Sequence, residues 1–247
     1  MEHVSDVVRY LDTAAYRMEQ APPARRFGHS PFVTISRQAG ADAHALARAV
    51  LDALARRRGE AFEGWEVFDK YLFQMLAEDP RLKAPMKYLL DEEYHSRATD
   101  YFEQLFGWYT PQDVLMSRIF RSVRAIAGSG KVVIVGRAGA CVTADMRGGI
   151  HVRLVASLEH RVEALRRRTG YAEKRAKQRL EELDHGREML IRQHFRRDVK
   201  DPLLYDAVFN QDRVPLGEIA DWIADEVEKK SAALATPASA RPRERSK

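Results

Sequence analysis

The chain has 247 residues, 45% of them hydrophobic, with 41 Lys+Arg against 36 Asp+Glu and a formal charge of +5, enough for one sizeable core with a helical appendage or lid. Cys141 is the only cysteine, which excludes a disulfide framework and a cysteine-based metal site and fits a reducing cytoplasm. No stretch approaches the roughly 18 apolar residues of a membrane helix and the N-terminus carries no signal-peptide core, so a soluble, cytoplasmic protein with no membrane partner is expected.

Residues 1–20 read as an amphipathic helix and lead through Pro22-Pro23 into a domain spanning 31–230. Short β-rich segments recur at Phe32–Ser36, Glu66–Phe68, Lys131–Val135, Ile150–Val155 and Ala207–Asn210, with helical periodicity between them. Leu46, Val50, Leu51 and Leu54 share one helix face, and Ser157 is placed to cap a helix burying Leu158, Val162 and Leu165. This alternation predicts a doubly wound α/β sandwich with a mostly parallel sheet. Two regions stand outside that core: a helical insertion over 71–127 and a charged, breaker-poor lid over 171–197. Within the insertion, Tyr94, Tyr101, Phe102, Phe106, Trp108 and Tyr109 read as core or homodimer contact. The tail 231–247 is Ala, Pro, Ser and Arg without apolar periodicity and reads as disordered.

The +5 balance suits anionic small ligands as well as nucleic acid, but the runs Arg56-Arg57-Arg58 and Arg166-Arg167-Arg168 read as solvated helix faces. No DNA or RNA partner is expected. The chemistry concentrates elsewhere. Residues 32–44 run from a strand through a small-residue turn into a helix, an arrangement that aims backbone N–H groups at a phosphate. Arg37, Gln38, Gly40, Ala41, Asp42, Ala43 and His44 make up this loop. Two readings of it stay open: a phosphate cradle, or a plain helix start capped by Asp42. At the end of the third strand Gly136, Arg137 and Gly139 lie on the carboxyl edge, where α/β sheets bind ligands and where a guanidinium suits a phosphate. A structural ion pair is the other reading of Arg137. Asp69, before Lys70, ends the second strand, as a ligand contact or as a helix cap. Arg175, Lys177, Asp184 and Arg187 mark the lid, although Asp184 and Arg187 at i,i+3 can simply pair. Gly128-Ser129-Gly130-Lys131 precedes a strand and is a turn, not a nucleotide loop. His44, His151, His160, His185 and His194 show no metal-ligand spacing, and no metal ligand is assigned.

Taken in order, these segments resemble the cytidylate kinase-like family, a branch of the P-loop nucleoside monophosphate kinases. The resemblance rests on Thr34-Ile35-Ser36-Arg37-Gln38, Phe68-Asp69-Lys70, Val133-Ile134-Val135-Gly136-Arg137, the helix from Leu158 to Arg167, Asp184-His185-Gly186-Arg187, and Asp201-Pro202-Leu203-Leu204-Tyr205-Asp206 through Asn210. It spans about residues 32–226. It implies a three-layer P-loop NTPase-type α/β sandwich with a parallel five-stranded sheet, ATP and Mg²⁺ as cofactors, and transfer of the ATP γ-phosphoryl group to a nucleoside monophosphate such as CMP. Carried over, Arg37, Arg137 and Arg187 take the catalytic positions, the loop Arg37 to His44 binds ATP, and Asp69, Gly136, Arg137 and Asp184 bind the acceptor. Where relatives have a Gly-Ser-Gly-Gly-like turn and then a basic residue, this chain has Gly40, Ala41, Asp42, Ala43 and His44. The alternative is a catalytically inactive pseudokinase acting as a nucleotide- or protein-binding module.

Overall fold

In the computed structural model, residues 29–69 and 111–235 are described. Five parallel strands form one sheet: β1 (Phe32–Arg37), β2 (Glu66–Phe68), β3 (Val132–Val135), β4 (Gly149–Val155) and β5 (Ala207–Asn210), in the order β2-β3-β1-β4-β5. The helices are α1 (Ala43–Ala55), α2 (Pro111–Ser129), α3 (Gly139–Val142), α4 (Leu158–Thr169), α5 (Glu173–Phe195) and α6 (Leu216–Ala235). The α/β sandwich with a parallel five-stranded sheet is therefore the observed fold. Among the described residues no helix is long and apolar enough to cross a membrane.

One face of the sheet buries Val33, Ile35, Val133, Val135, Val152 and Leu154 against α1 and α6. Leu46, Val50 and Leu54 of α1 are fully buried there, each contributing about 1.5–3 kcal/mol relative to exposure. That anchorage fixes where α1 begins, and so fixes the loop before it. On the other face Ile119, Phe120, Val123 and Ile126 of α2 are buried. Residues 111–127 of the stretch expected as an appendage thus belong to a crossover helix of the core, because its apolar residues recur at helical spacing next to β3.

The lid candidate is a single helix, α5, held at both ends. Ala176 and Leu180 pack with Ala39, Val162 and Leu165, while Phe195 and His194 lie 5.1 and 5.5 Å from the Phe120 ring on α2. Ser157 caps α4, its hydroxyl accepting from His160 N at 3.2 Å, and Gly170 ends it in the left-handed conformation. Ser231–Ala235, assigned to the tail from sequence, form the last turn of α6, as good helix formers do. The expected N-terminal helix, Lys70, the six aromatics of the insertion and the tail beyond residue 235 lie outside the described residues.

Register brings the strand ends together. Ile35 lies between Val135 and Val152, Ser36 pairs with Arg153, and Phe68 pairs with Ile134. Asp69, Gly136-Arg137, Arg37-Gln38 and Ala156-Ser157 therefore all leave the sheet along one carboxyl edge.

Candidate active site at the carboxyl edge

The loop after β1 folds as the sequence predicts, and its backbone donors are directed inward. Gln38 N donates to Leu154 O at 3.0 Å, while Gln38 Oε1 accepts from Ala156 N at 3.0 Å, stitching the loop to β4. Ala39 N donates to the Asp184 carboxylate at 2.6 Å, and Asp42 N donates to Gln211 Oε1 at 3.1 Å. Asp42 accepts from Ala45 N at 3.2 Å, so it is the cap of α1. Ala41 and Ala43 point into the core, with exposures of 6% and 1%. Gly40 takes φ +86, where a glycine is required, and lies hard against the Arg161 backbone.

Asp184 is the centre of a clamp. One of its oxygens accepts from Ala39 N and from Arg187 Nη1 at 3.1 Å, the other from Arg161 Nη1 at 2.7 Å. Arg161 also donates to Ala39 O at 3.2 Å, and Arg187 to Arg37 O at 3.4 Å. A carboxylate of α5 thus occupies a loop amide, that of Ala39. The sequence-level i,i+3 pair of Asp184 with Arg187 is real, and it reaches further than its own helix.

Beside the clamp, Arg37, Arg137 and Arg187 line a cavity of about 60 Å³ whose walls include Thr34, Ser36 and Tyr205. That is room for a phosphate-sized group. Burial pushes the Arg37 guanidinium down to about 10, with Arg187 and Arg137 adding to the effect and Asp69 opposing it. The unfolded chain keeps this proton up to the ordinary arginine value. Folding is therefore penalised by the charged Arg37 at all pH below about 10, and stability rises as pH climbs through that value. Burial also lowers Arg137, against Asp69, and Arg187, against Asp184. An anion in this cavity relieves all three.

The turn that delivers Arg137 is strained. Gly136, Arg137 and Ala138 take φ of 83, 51 and 55, and two of them are not glycine. Such positions cost of order 1 kcal/mol each and persist where the surroundings hold them, commonly at ligand sites. His44 lies 3.9 Å from Asp69, and burial lowers its pKa, with Asp69 pulling the other way. Asp69 is the carboxylate at the end of β2, beside His44. Among the described residues no cluster of three His, Cys, Asp or Glu is arranged as a metal site. One or two carboxylates together with phosphates suffice for Mg²⁺, so Asp69 fits that role and is not required to share it.

Arg175 and Lys177 are not brought to the site: Arg175 stacks on the Tyr171 ring at 4.2 Å and Lys177 pairs with Glu173. Gly130-Lys131 is a turn, Lys131 donating to Glu60 O at 2.6 Å. Sequence reasoning missed Arg161, Gln211, Arg153 and Tyr205. For Arg153 a signal existed, since a charged residue inside the buried run Ile150–Leu154 belongs to a strand end that faces something polar.

The fold is shared with a solved structure, an uncharacterized protein from Eubacterium ventriosum ATCC 27560. It is 17% identical with a TM-score of 0.63, and the match covers 81% of this chain and 99% of that one. A shikimate kinase from Bacteroides thetaiotaomicron matches at 13% identity and a TM-score of 0.42, over 81% of this chain and 98% of that one, a likeness too distant to argue from. No curated protein matches the chain. Residues 32–213, from the first residue of β1 to just past β5, match the family model, and the chain belongs to the cytidylate kinase-like family.

Proposed function

We propose that this protein is a phosphotransferase that takes a nucleoside monophosphate such as CMP as acceptor and ATP as donor. The observation that carries the reading is the convergence of Arg37, Arg137 and Arg187 on one cavity at the ends of β1 and β3. Phosphoryl transfer asks the protein for positioning and positive charge more than for a covalent catalyst. Arg137 and Arg37 hold the acceptor phosphate, and Arg187, from the lid, closes on the transferred group. ATP with Mg²⁺ supplies the γ-phosphoryl. The loop fits a triphosphate only once Asp184 has left Ala39 N, and the basic residue that follows the turn in relatives is His44 here.

The second reading is a non-catalytic nucleotide- or protein-binding module, favoured by the inward use of the Ala39, Asp42 and Ala45 amides. Incubation with ATP·Mg and CMP, with products separated by chromatography, decides between them. Formation of CDP and ADP establishes the transferase. CMP binding without turnover establishes the module.

Arg137→Met is expected to weaken CMP binding at least about tenfold, the cost of one charge-assisted phosphate contact, with the melting temperature nearly unchanged. Calorimetric titration checks it, and equal affinities remove Arg137 from the site. Asp42→Gly is expected to cost only a few tenths of a kcal/mol as a cap change. By relieving roughly 1.4 kcal/mol of like-charge repulsion it should tighten ATP about tenfold. Unchanged or weaker ATP binding would mean that Asp42 turns away from the phosphates or serves their metal.

A further inference from the structure

Arg37 and Arg187 line two cavities, and only one of these contains Arg137. The other, about 30 Å³, lies on the β4 side under α5. Arg37, Arg153, Arg187 and Lys200 line it with Asp184 and Glu188. Both acids are committed: Asp184 to Arg161, Arg187 and Ala39 N, and Glu188 to Lys200 at 2.6 Å. Arg153 is not paired with an acid among the described residues. It is 6% exposed and its Nη1 donates only to two hydroxyls, Ser36 Oγ at 3.3 Å and Tyr205 OH at 3.5 Å. Both distances are at or beyond the long end of hydrogen bonding, and a guanidinium has five donors. The Tyr205 ring lies 5.7 Å from its carbon, a weak attraction for a full buried charge. Its charged neighbours in the cavity are the cations Arg37, Arg187 and Lys200 and the two acids Asp184 and Glu188, both of which pair with other cations.

A guanidinium held inside a fold without a counter-charge is costly, and an anion is what completes it. We propose that Arg153, with Ser36 and Tyr205 holding it in place, is the centre of a second anion subsite beside the loop, in the cavity that Arg137 does not line. Its ligand is a tetrahedral oxyanion of the phosphate class. The space present is that of one or two waters, and a larger anion enters as the exposed Lys200 side chain, paired with Glu188 at 2.6 Å, moves aside. The proposal does not rest on the nucleotide reading, because an inorganic anion tests it.

The test is nuclear magnetic resonance of ¹⁵Nε-labelled arginine in the full chain, the Arg153 signal being identified by its absence in Arg153→Met. Inorganic phosphate is expected to move that signal saturably, while chloride at equal ionic strength leaves it in place. Arg153→Met is expected to bind phosphate at least about tenfold more weakly in this subsite and to melt at a higher temperature than wild type without anion, because a buried unpaired charge has gone. A structural pillar predicts the reverse: a lower melting temperature in Arg153→Met and an Arg153 signal indifferent to phosphate, and either result overturns the proposal. If Arg153→Met does not fold, Arg153→Lys identifies the signal instead, and the wild-type titration still decides. The source of the anion is read by comparing a nucleoside monophosphate with a nucleoside bisphosphate. A larger loss for the bisphosphate in Arg153→Met assigns the subsite to a second group of the substrate, and equal losses assign it to free phosphate.

Discussion

Asp184→Asn is expected to bind ATP at least tenfold more tightly than wild type while melting several degrees lower. The carboxylate accepts from Ala39 N at 2.6 Å, so a phosphate arriving at the loop meets a like charge at close range. Two such charges about 4 Å apart repel by roughly 1 kcal/mol in water and up to about 4 kcal/mol at an effective dielectric of 20, or tenfold to nearly a thousandfold in affinity. Asparagine keeps the shape and one acceptor oxygen, which isolates the charge. The stability loss has a separate origin: Arg161, whose side chain is only 12% exposed, loses its anionic partner. Breaking a charged hydrogen bond of this kind costs about 1.5–3 kcal/mol, and in a chain of this size each kcal/mol lowers the melting temperature by about 2–4 °C. Calorimetric titration with ATP·Mg and a thermal melt at one salt concentration read the two effects. If ATP binding weakens along with the melt, Asp184 serves the ligand instead of displacing it.

The sheet was legible because each strand combines a continuous apolar run with flanking turn residues. Val132–Val135 is buried on both faces and reads as such from four consecutive β-branched residues. The extent of the core was harder to see at α2. Its polar residues, Arg118, Arg121 and Arg124 among them, dilute an apolar stripe that becomes evident only once β3 lies against Phe120, Val123 and Ile126. Tertiary context decided that helix.

At the site, glycine and arginine at strand ends were readable because their positions follow from the strands: Arg37 is the last residue of β1, and Gly136 and Arg137 directly follow β3. Of the loop's two readings, the cap is visible in the structure, Asp42 accepting from Ala45 N at the start of α1. What the sequence does not carry is long-range pairing. Asp184 lies 145 residues from Ala39, Gln211 lies 169 from Asp42, and Arg153 lies 117 from Ser36. No local period encodes such contacts. They follow from the strand order, which places α4, α5 and the end of β5 around one loop.

The second large effect is expected at Gly40, where alanine should lower the melting temperature by about 4–20 °C. A Cβ built there lies 2.7 Å from both the Cβ and the carbonyl oxygen of Arg161 and 2.9 Å from its Cα, and these are atoms of α4, mostly backbone, with no flexible end to yield. The positive φ of 86 adds about 1–2 kcal/mol for any L side chain, and forcing the helix away adds about 1–3 kcal/mol more. At about 2–4 °C per kcal/mol, the sum gives the range stated. Gly170 provides the control: its φ is 71 and nothing lies within 4 Å of its would-be Cβ, so Gly170→Ala carries the backbone term alone. Gly136→Ala differs again, because its Cβ would overlap the Arg37 guanidinium, which can move. That variant should melt near Gly170→Ala yet bind CMP less well, while Gly40→Ala melts well below both. If Gly40→Ala melts with Gly170→Ala, α4 yields freely to the loop, and the close contact that seats Arg161 and Asp184 contributes nothing to the stability of the site.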